Sequence, residues 1–157
     1  MTNKIDTNIN PANAIHDSLP VTIWSFKRSI GSIVLIDGGE KISKGKIRES
    51  EYFIGSFSFT LYLCDWTLYQ KRKVVLTCND TCNSKYNAVA NCIIGKKILI
   101  LKEIVARRKL LLEFEDDFQM IVREDLKNYS YNDDMLYGFI DGAAWGYSPH
   151  KRFYWEK

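Results

Sequence analysis

Bond-making chemistry near neutral pH needs a nucleophile beside a base, two carboxylates held in different protonation states, or a metal held by soft or charged ligands. The 157-residue chain has two histidines, His16 and His150, one near each end. A serine or cysteine nucleophile needs such a base within hydrogen-bond reach. His16 falls in an expected first helix and His150 follows Ser148-Pro149, so both read as surface or capping residues. The adjacent carboxylates Asp116/Asp117 and Asp133/Asp134 could bind a divalent cation or divide acid and base duties if they faced a cleft. Neighbouring side chains point apart in an extended segment, however, and in a turn they are hydrated. Cys78, Cys82 and Cys92 cluster in sequence without a paired C-x-x-C and without a nearby histidine, and with Cys64 they read as reduced thiols. Gly38-Gly39 is followed by neither GxxxxGK[ST] nor G-x-G-x-x-G. The expectation is a protein with no catalytic residue, no metal site and no cofactor.

Binding chemistry is better represented. Residues 113 to 141 hold nine acidic side chains against Arg123 and Lys127, a charge of −7 that leaves +10 on the rest of a chain whose net charge is +3. Basic residues fall between Lys41 and Arg48, at Lys71, Arg72 and Lys73, and from Lys96 to Lys109. Opposed charged regions can steer encounter with a charged partner, although each can equally be an ordinary solvated face. The lysines and arginines, with Tyr52, Trp66 and Tyr69 as stacking residues, would suit a nucleic-acid-binding module, but no RNP, zinc-finger or helix-turn-helix signature is present. Trp145, in Gly142-Ala143-Ala144-Trp145-Gly146-Tyr147, could anchor an interface or fill the core.

The elements that must position these groups are mostly strands. With 46% hydrophobic, 13% aromatic and 26% charged residues, the composition is that of a globular chain. One core is expected over residues 1–157, behind a loose tail at 1–10. Asn10 and Pro11 suit the N-cap and first position of a short helix running to about Leu19, closed by Pro20. A β-prone stretch around Trp24 and a strand Ser32–Ile36 follow, ended by Asp37-Gly38-Gly39. Residues 40–51 lack apolar periodicity and read as an exposed connection. Ser56 to Cys64 alternates strictly, placing Phe57, Phe59, Leu61 and Leu63 on one buried face and the hydroxyls on the other. Hairpins are expected around Lys71-Arg72-Lys73 and around Glu115-Asp116-Asp117, with a helix between them, capped by Ser84 and stopped at Gly95. Beyond Asp125 the pattern weakens to a Tyr- and Asp-rich loop, a short segment near Met135 and a terminal Phe153-Tyr154-Trp155. The fold class is therefore α+β, a predominantly antiparallel twisted β-sheet with two short helices. Apolar runs such as Ile98 to Leu101 fall far short of the ~20 residues of a membrane span. Met1 to Asn13 lacks the basic start and apolar centre of a secretory signal, so cytoplasmic residence is expected.

The order of these elements carries a resemblance. Gly31-Ser32-Ile33-Val34-Leu35-Ile36 leads into Asp37-Gly38-Gly39-Glu40, and Trp66-Thr67-Leu68 comes later. A helix ending in Gly95-Lys96-Lys97-Ile98 follows, and then the pair Leu110–Phe114 and Phe118–Val122. Over roughly residues 20 to 125 this layout resembles the small bacterial proteins encoded beside polymorphic toxins, including immunity proteins of contact-dependent growth inhibition systems. The resemblance implies a non-enzymatic toxin inhibitor, an antitoxin in the broad sense. Such a protein binds its cognate toxin domain, often a nuclease encoded by the adjacent gene, by protein–protein interaction and covers its active site. Its net charge departs from the acidic character of many nuclease-blocking immunity proteins. On this reading Glu115, Asp116, Asp117, Asp133 and Asp134, with Tyr131 and Trp145, would face a basic toxin surface in place of nucleic-acid phosphates. A nucleic-acid-binding module is the alternative, centred on Lys71 to Lys73 and Arg107 to Lys109. A metal-dependent hydrolase using Asp116 or Asp133 is a third class.

Overall fold

The computed structural model describes residues 4–104, 108–125 and 127–157. The chain opens with helix α1 (Pro11–Ser18). Its N-cap is Asn10, whose Oδ1 accepts the Ala12 N–H at 2.8 Å, and Pro11, lacking an N–H, costs nothing at the first turn. Ala14 and Ile15 form its buried stripe. Helix α2 (Asn83–Ile93) buries Tyr86, Ala90 and Ile93. Its N-cap is Cys82, with no side-chain capping bond, rather than the expected Ser84. Gly95, at φ +92°, takes the chain out of α2 as expected.

Among the described residues there are eleven strands: β1 (Val21–Arg28), β2 (Val34–Ile47), β3 (Ser50–Leu61), β4 (Asp65–Gln70), β5 (Lys73–Thr77), β6 (Lys97–Ile104), β7 (Lys109–Phe114), β8 (Phe118–Arg123), β9 (Leu136–Ile140), β10 (Ala143–Ser148) and β11 (Arg152–Trp155). They form one open antiparallel sheet in the order β11-β10-β9-β3-β2-β1-β6-β7-β8-β4-β5. Strand β1 is the junction. Most of it pairs with β2, whereas only Val21 and Thr22 pair with β6, opposite Ile98 and Lys97. The sheet is thus two half-sheets sharing one strand, and the inner faces of both contribute to one contiguous core.

Alternation builds that core. Leu110, Leu112 and Phe114 of β7 and Phe118, Met120 and Val122 of β8 are buried, as the hairpin pattern requires. Phe57, Phe59 and Leu61 of β3 meet Leu136 and Ile140 of β9 across the ladder, and Trp145 packs against Phe59 and Phe153. Trp66 is buried with its Nε1–H donated to the Ser32 carbonyl at 2.9 Å. Among the described residues, no helix is long and apolar enough to cross a membrane.

Three further expectations change. Residues 40–51 are no loose connection: they continue β2 and β3 into a two-stranded ribbon turned by Arg48 and Glu49, both at positive φ. The pairing of β1 with β2 stops at Gly38, so the outer ribbon has no third strand to bury against and needs no apolar alternation. The segment beyond Asp125 holds a three-strand meander, β9-β10-β11, with Asp141-Gly142 at its first turn. Leu63 lies past the end of β3 and is half-buried, its N–H on the Asp134 carbonyl at 3.4 Å, instead of on the buried face.

Candidate protein-binding face

The outer face of the β1-β2-β3-β9 half-sheet carries side chains that a solvated face would not need. Register sets Lys27, Leu35, Thr60 and Tyr137 in one cross-strand row and Ser25, Asp37, Ser58 and Phe139 in the next. Short hydroxyl side chains thus occupy the middle of the sheet and large rings its flank. Beyond Gly55, β3 brings Tyr52 and Ile54 to the same depression, a pocket of about 240 Å³ lined also by Leu35, Asp37, Ser58, Thr60, Tyr137 and Phe139. The apolar groups are reachable: Leu35 and the rings of Tyr52, Tyr62, Tyr137 and Phe139 are 37–46% exposed. Isolated exposed apolar residues are ordinary, but a contiguous group marks an interaction surface.

Local sequence explains the hollow. The β2–β3 ladder slips between Gly38 and Lys41, a bulge that bends the hairpin and increases its twist. Gly55 sits opposite that bulge, where any Cβ would collide with the Gly38 carbonyl. Its N–H is freed from the ladder and donates to Asp37 Oδ1 at 2.9 Å. On β9, Gly138 lies against the Ser58 carbonyl and the Phe59 backbone, so the strands approach closely between the outward rings of Tyr137 and Phe139. Tyr62 supports Tyr137 edge-on at 5.6 Å between ring centroids.

Asp37 is the one carboxyl in the lining. Burial pushes its pKa up, opposed by the Gly55 hydrogen bond and the positive charge of Lys27. The Asp141 carboxyl, at the turn after β9, is also raised, by burial and by the charge of Glu40. Lys41 lies over the Trp24 ring at 5.0 Å. The pocket lining holds a carboxyl, two aliphatic hydroxyls, two phenols and further aromatic faces, and no histidine or thiol among the described residues.

A second polar cluster ties β6 of one half-sheet to β10 and β11 of the other. Glu103, at the end of β6, accepts the Tyr147 hydroxyl at 2.5 Å and forms an ion pair with the Arg152 guanidinium. Arg108 stands 3.7 Å from Glu124 and over the Tyr131 ring, which meets His150 edge-on. Burial, together with the charges of Glu124 and Tyr131, pushes the Tyr147 hydroxyl up to about 12. Every charge named here already has a partner, so the cluster reads as a fastening.

The expected toxin-facing residues do not form one contiguous cluster. Glu115 accepts the Lys97 N–H at 2.9 Å, and Asp116 pairs with Lys96. Asp117 lies beside Lys71 and Arg72. Asp133 accepts the Ser130 N–H at 2.7 Å, and Asp134 takes the Tyr154 hydroxyl at 2.8 Å. The acidic turn precedes β8, whereas Asp134 is fixed beside Leu63, near the far end of β8 where Arg123 pairs with Asp65. The length of β8 alone separates the two groups by about 17 Å. Tyr131 is 39% exposed, but Trp145 is fully buried, so its expected surface role is corrected: it fills the core. Lys71 and Arg72 likewise sit at the opposite end of β4 and β8 from Arg108 and Lys109, and the buried Trp66 offers no face to a base. Arg107 lies outside the described residues. Among the described residues, no group of three or more His, Cys, Asp or Glu side chains could hold a metal, and the described cysteines are free thiols.

The sequence reading missed Leu35, Asp37, Tyr52, Ser58, Thr60, Tyr137 and Phe139 as one site. Its signal was present in Leu136-Tyr137-Gly138-Phe139-Ile140, where rings fall at the outward parity of a strand. The chain matches no family model, no curated protein and no solved structure.

Proposed function

We propose that this protein is a non-enzymatic cytoplasmic immunity protein that neutralises a cognate bacterial toxin domain, a nuclease, by seating the outer face of β1-β2-β3-β9 against it and covering its active site. One observation carries the choice of surface: a cluster of half-exposed rings surrounds a half-buried carboxylate on an otherwise hydroxyl-lined sheet face. Tyrosines in such settings supply contact area at low entropic cost and are enriched at interface hot spots. The resemblance to proteins encoded beside polymorphic toxins supplies the kind of partner. The acidic turn Glu115-Asp116-Asp117 takes a lesser role in this reading, because two of its three carboxylates are already engaged.

The test is co-purification with the product of the adjacent gene, followed by titration calorimetry. Tight 1:1 binding that abolishes toxicity is expected, and the double variant Tyr137→Ala/Phe139→Ala should weaken it by about a hundredfold. No binding to the neighbouring product would overturn the proposal.

The same exposed rings, beside Lys41, Lys44 and Lys46 of the ribbon, favour a second reading as a single-stranded nucleic-acid platform. Against it, the Asp37 carboxylate stands among the rings, where phosphates would pass. Binding of a labelled single-stranded oligonucleotide that falls steeply between low and physiological salt would decide for this reading.

A further inference from the structure

We infer that the Asp37 pocket is a receptor for one arginine side chain of the partner protein, with the guanidinium stacked between the Tyr137 and Tyr52 rings and bound to the Asp37 carboxylate. The inference rests on the proposed function for its partner but on the pocket alone for its chemistry.

Size argues first. A pocket of about 240 Å³ lies below the ~300–1,000 Å³ of sites that enclose small-molecule ligands, so it suits a single side chain. Charge argues next. Asp37 donates nothing when ionised, and its hydrogen-bond partner among the described residues is Gly55 N–H, on Oδ1. Oδ2 is left to whatever enters the pocket. An anion would meet this carboxylate, whereas a cation would gain from it. Lys27 neighbours Asp37 on β1 and acts as its resident counter-charge, which an incoming guanidinium would displace toward solvent.

Shape separates arginine from lysine. Guanidinium is planar, is weakly hydrated, and presents five donors, so it can stack on a ring while donating sideways to a carboxylate and to hydroxyls. Ser58 and Thr60, both buried polar residues on the pocket floor, supply hydroxyl acceptors beside Asp37. The partially desolvated carboxylate makes the pair stronger than an exposed one, because screening by water is reduced.

The experiment is an amide NMR titration of the full chain with Nα-acetyl-arginine amide, with the neutral citrulline analogue as control. Saturable shifts at Gly55 and Gly138 are expected for the arginine compound, and none for citrulline. Asp37→Asn should weaken the arginine compound about tenfold. Tyr137→Leu, which keeps an apolar body but removes the π face, should weaken it by severalfold. Equal binding of citrulline, no saturable shift, or full binding by a folded Asp37→Asn would overturn the inference. Calorimetry with the neighbouring toxin separates the two ideas. Arginine binding without toxin binding sinks only the functional proposal, whereas toxin binding undiminished by Asp37→Asn sinks only the pocket.

Discussion

At the residue scale, Asp37 shows how one group can oppose folding and serve binding. Its pKa is raised mainly by burial, so the folded chain holds a proton more firmly than the unfolded chain does. Stability contributed by that protonation is present below the unfolded pKa, declines as pH rises through the raised folded value, and becomes a net cost above it. The melting temperature of the parent chain should therefore climb as pH falls through this range, and Asp37→Asn should flatten that part of the profile and raise the melting temperature at neutral pH. Arginine-amide affinity should move the opposite way, fading as the carboxylate protonates. A melting profile indifferent to Asp37→Asn would refute the burial argument. Gly138 makes a sharper case. A methyl there would strike the Ser58 carbonyl and the Phe59 backbone, neither of which can rotate away. Gly138→Ala should cost about 1–3 kcal/mol by overpacking, read from denaturant midpoints at unchanged m-value.

At the element scale, the hairpin strands and both helices could be read from the sequence because their physics is local: alternation, turn residues and caps all lie within a few positions of one another. The β4–β5 and β7–β8 hairpins stand where their apolar runs and charged turns put them. The ribbon of β2 and β3 was hidden for a complementary reason. Its outer half pairs two strands with no core on either side, so nothing forces its side chains to alternate, and Lys, Glu and Ser fill it. The pocket was hidden more deeply, since Asp37, Ser58 and Phe139 become neighbours only through register across three strands, with Asp37 and Phe139 102 positions apart in the chain. Ser58 and Thr60 were correctly placed away from the Phe57 face, but their burial depends on rings from β9 and the ribbon. This division gives a prediction. Replacing residues 43–53 by Asn-Gly joins Ile42 to its cross-strand partner Ile54 through a two-residue turn. The melting temperature should change by no more than about 4 °C, because little core is removed. Arginine-amide binding should fall severalfold with the loss of Tyr52. Unfolding of the shortened chain would show that the ribbon is part of the folding unit.

At the scale of the whole molecule, the weak point is the junction of the half-sheets. Only Val21 and Thr22 pair β1 with β6 in register, extended by the Ile23 and Gly95 N–H bonds nearby, so the backbone ladder holds the halves together over a short span. Core packing supplies part of the remainder, through Trp66 bonded to Ser32 and α1 lying against both β6 and β11. Glu103 supplies a polar fastening. It stands on β6 and binds Tyr147 of β10 and Arg152 at the start of β11, with its side chain only 11% exposed. Removing the carboxylate would leave a buried phenol and a half-exposed guanidinium without their acceptor. Glu103→Ala should therefore destabilise the chain by about 2–3 kcal/mol. Glu103→Gln keeps an acceptor oxygen but loses the charge, and it should cost less. The location of the damage is the more telling result. If Glu103 fastens the halves, hydrogen exchange in Glu103→Ala should speed first in β10 and β11, at the far edge of one half-sheet, while β7 and β8 keep global protection. A uniform rise across all strands would mean that the halves open together, and that the shared core alone holds the bent sheet.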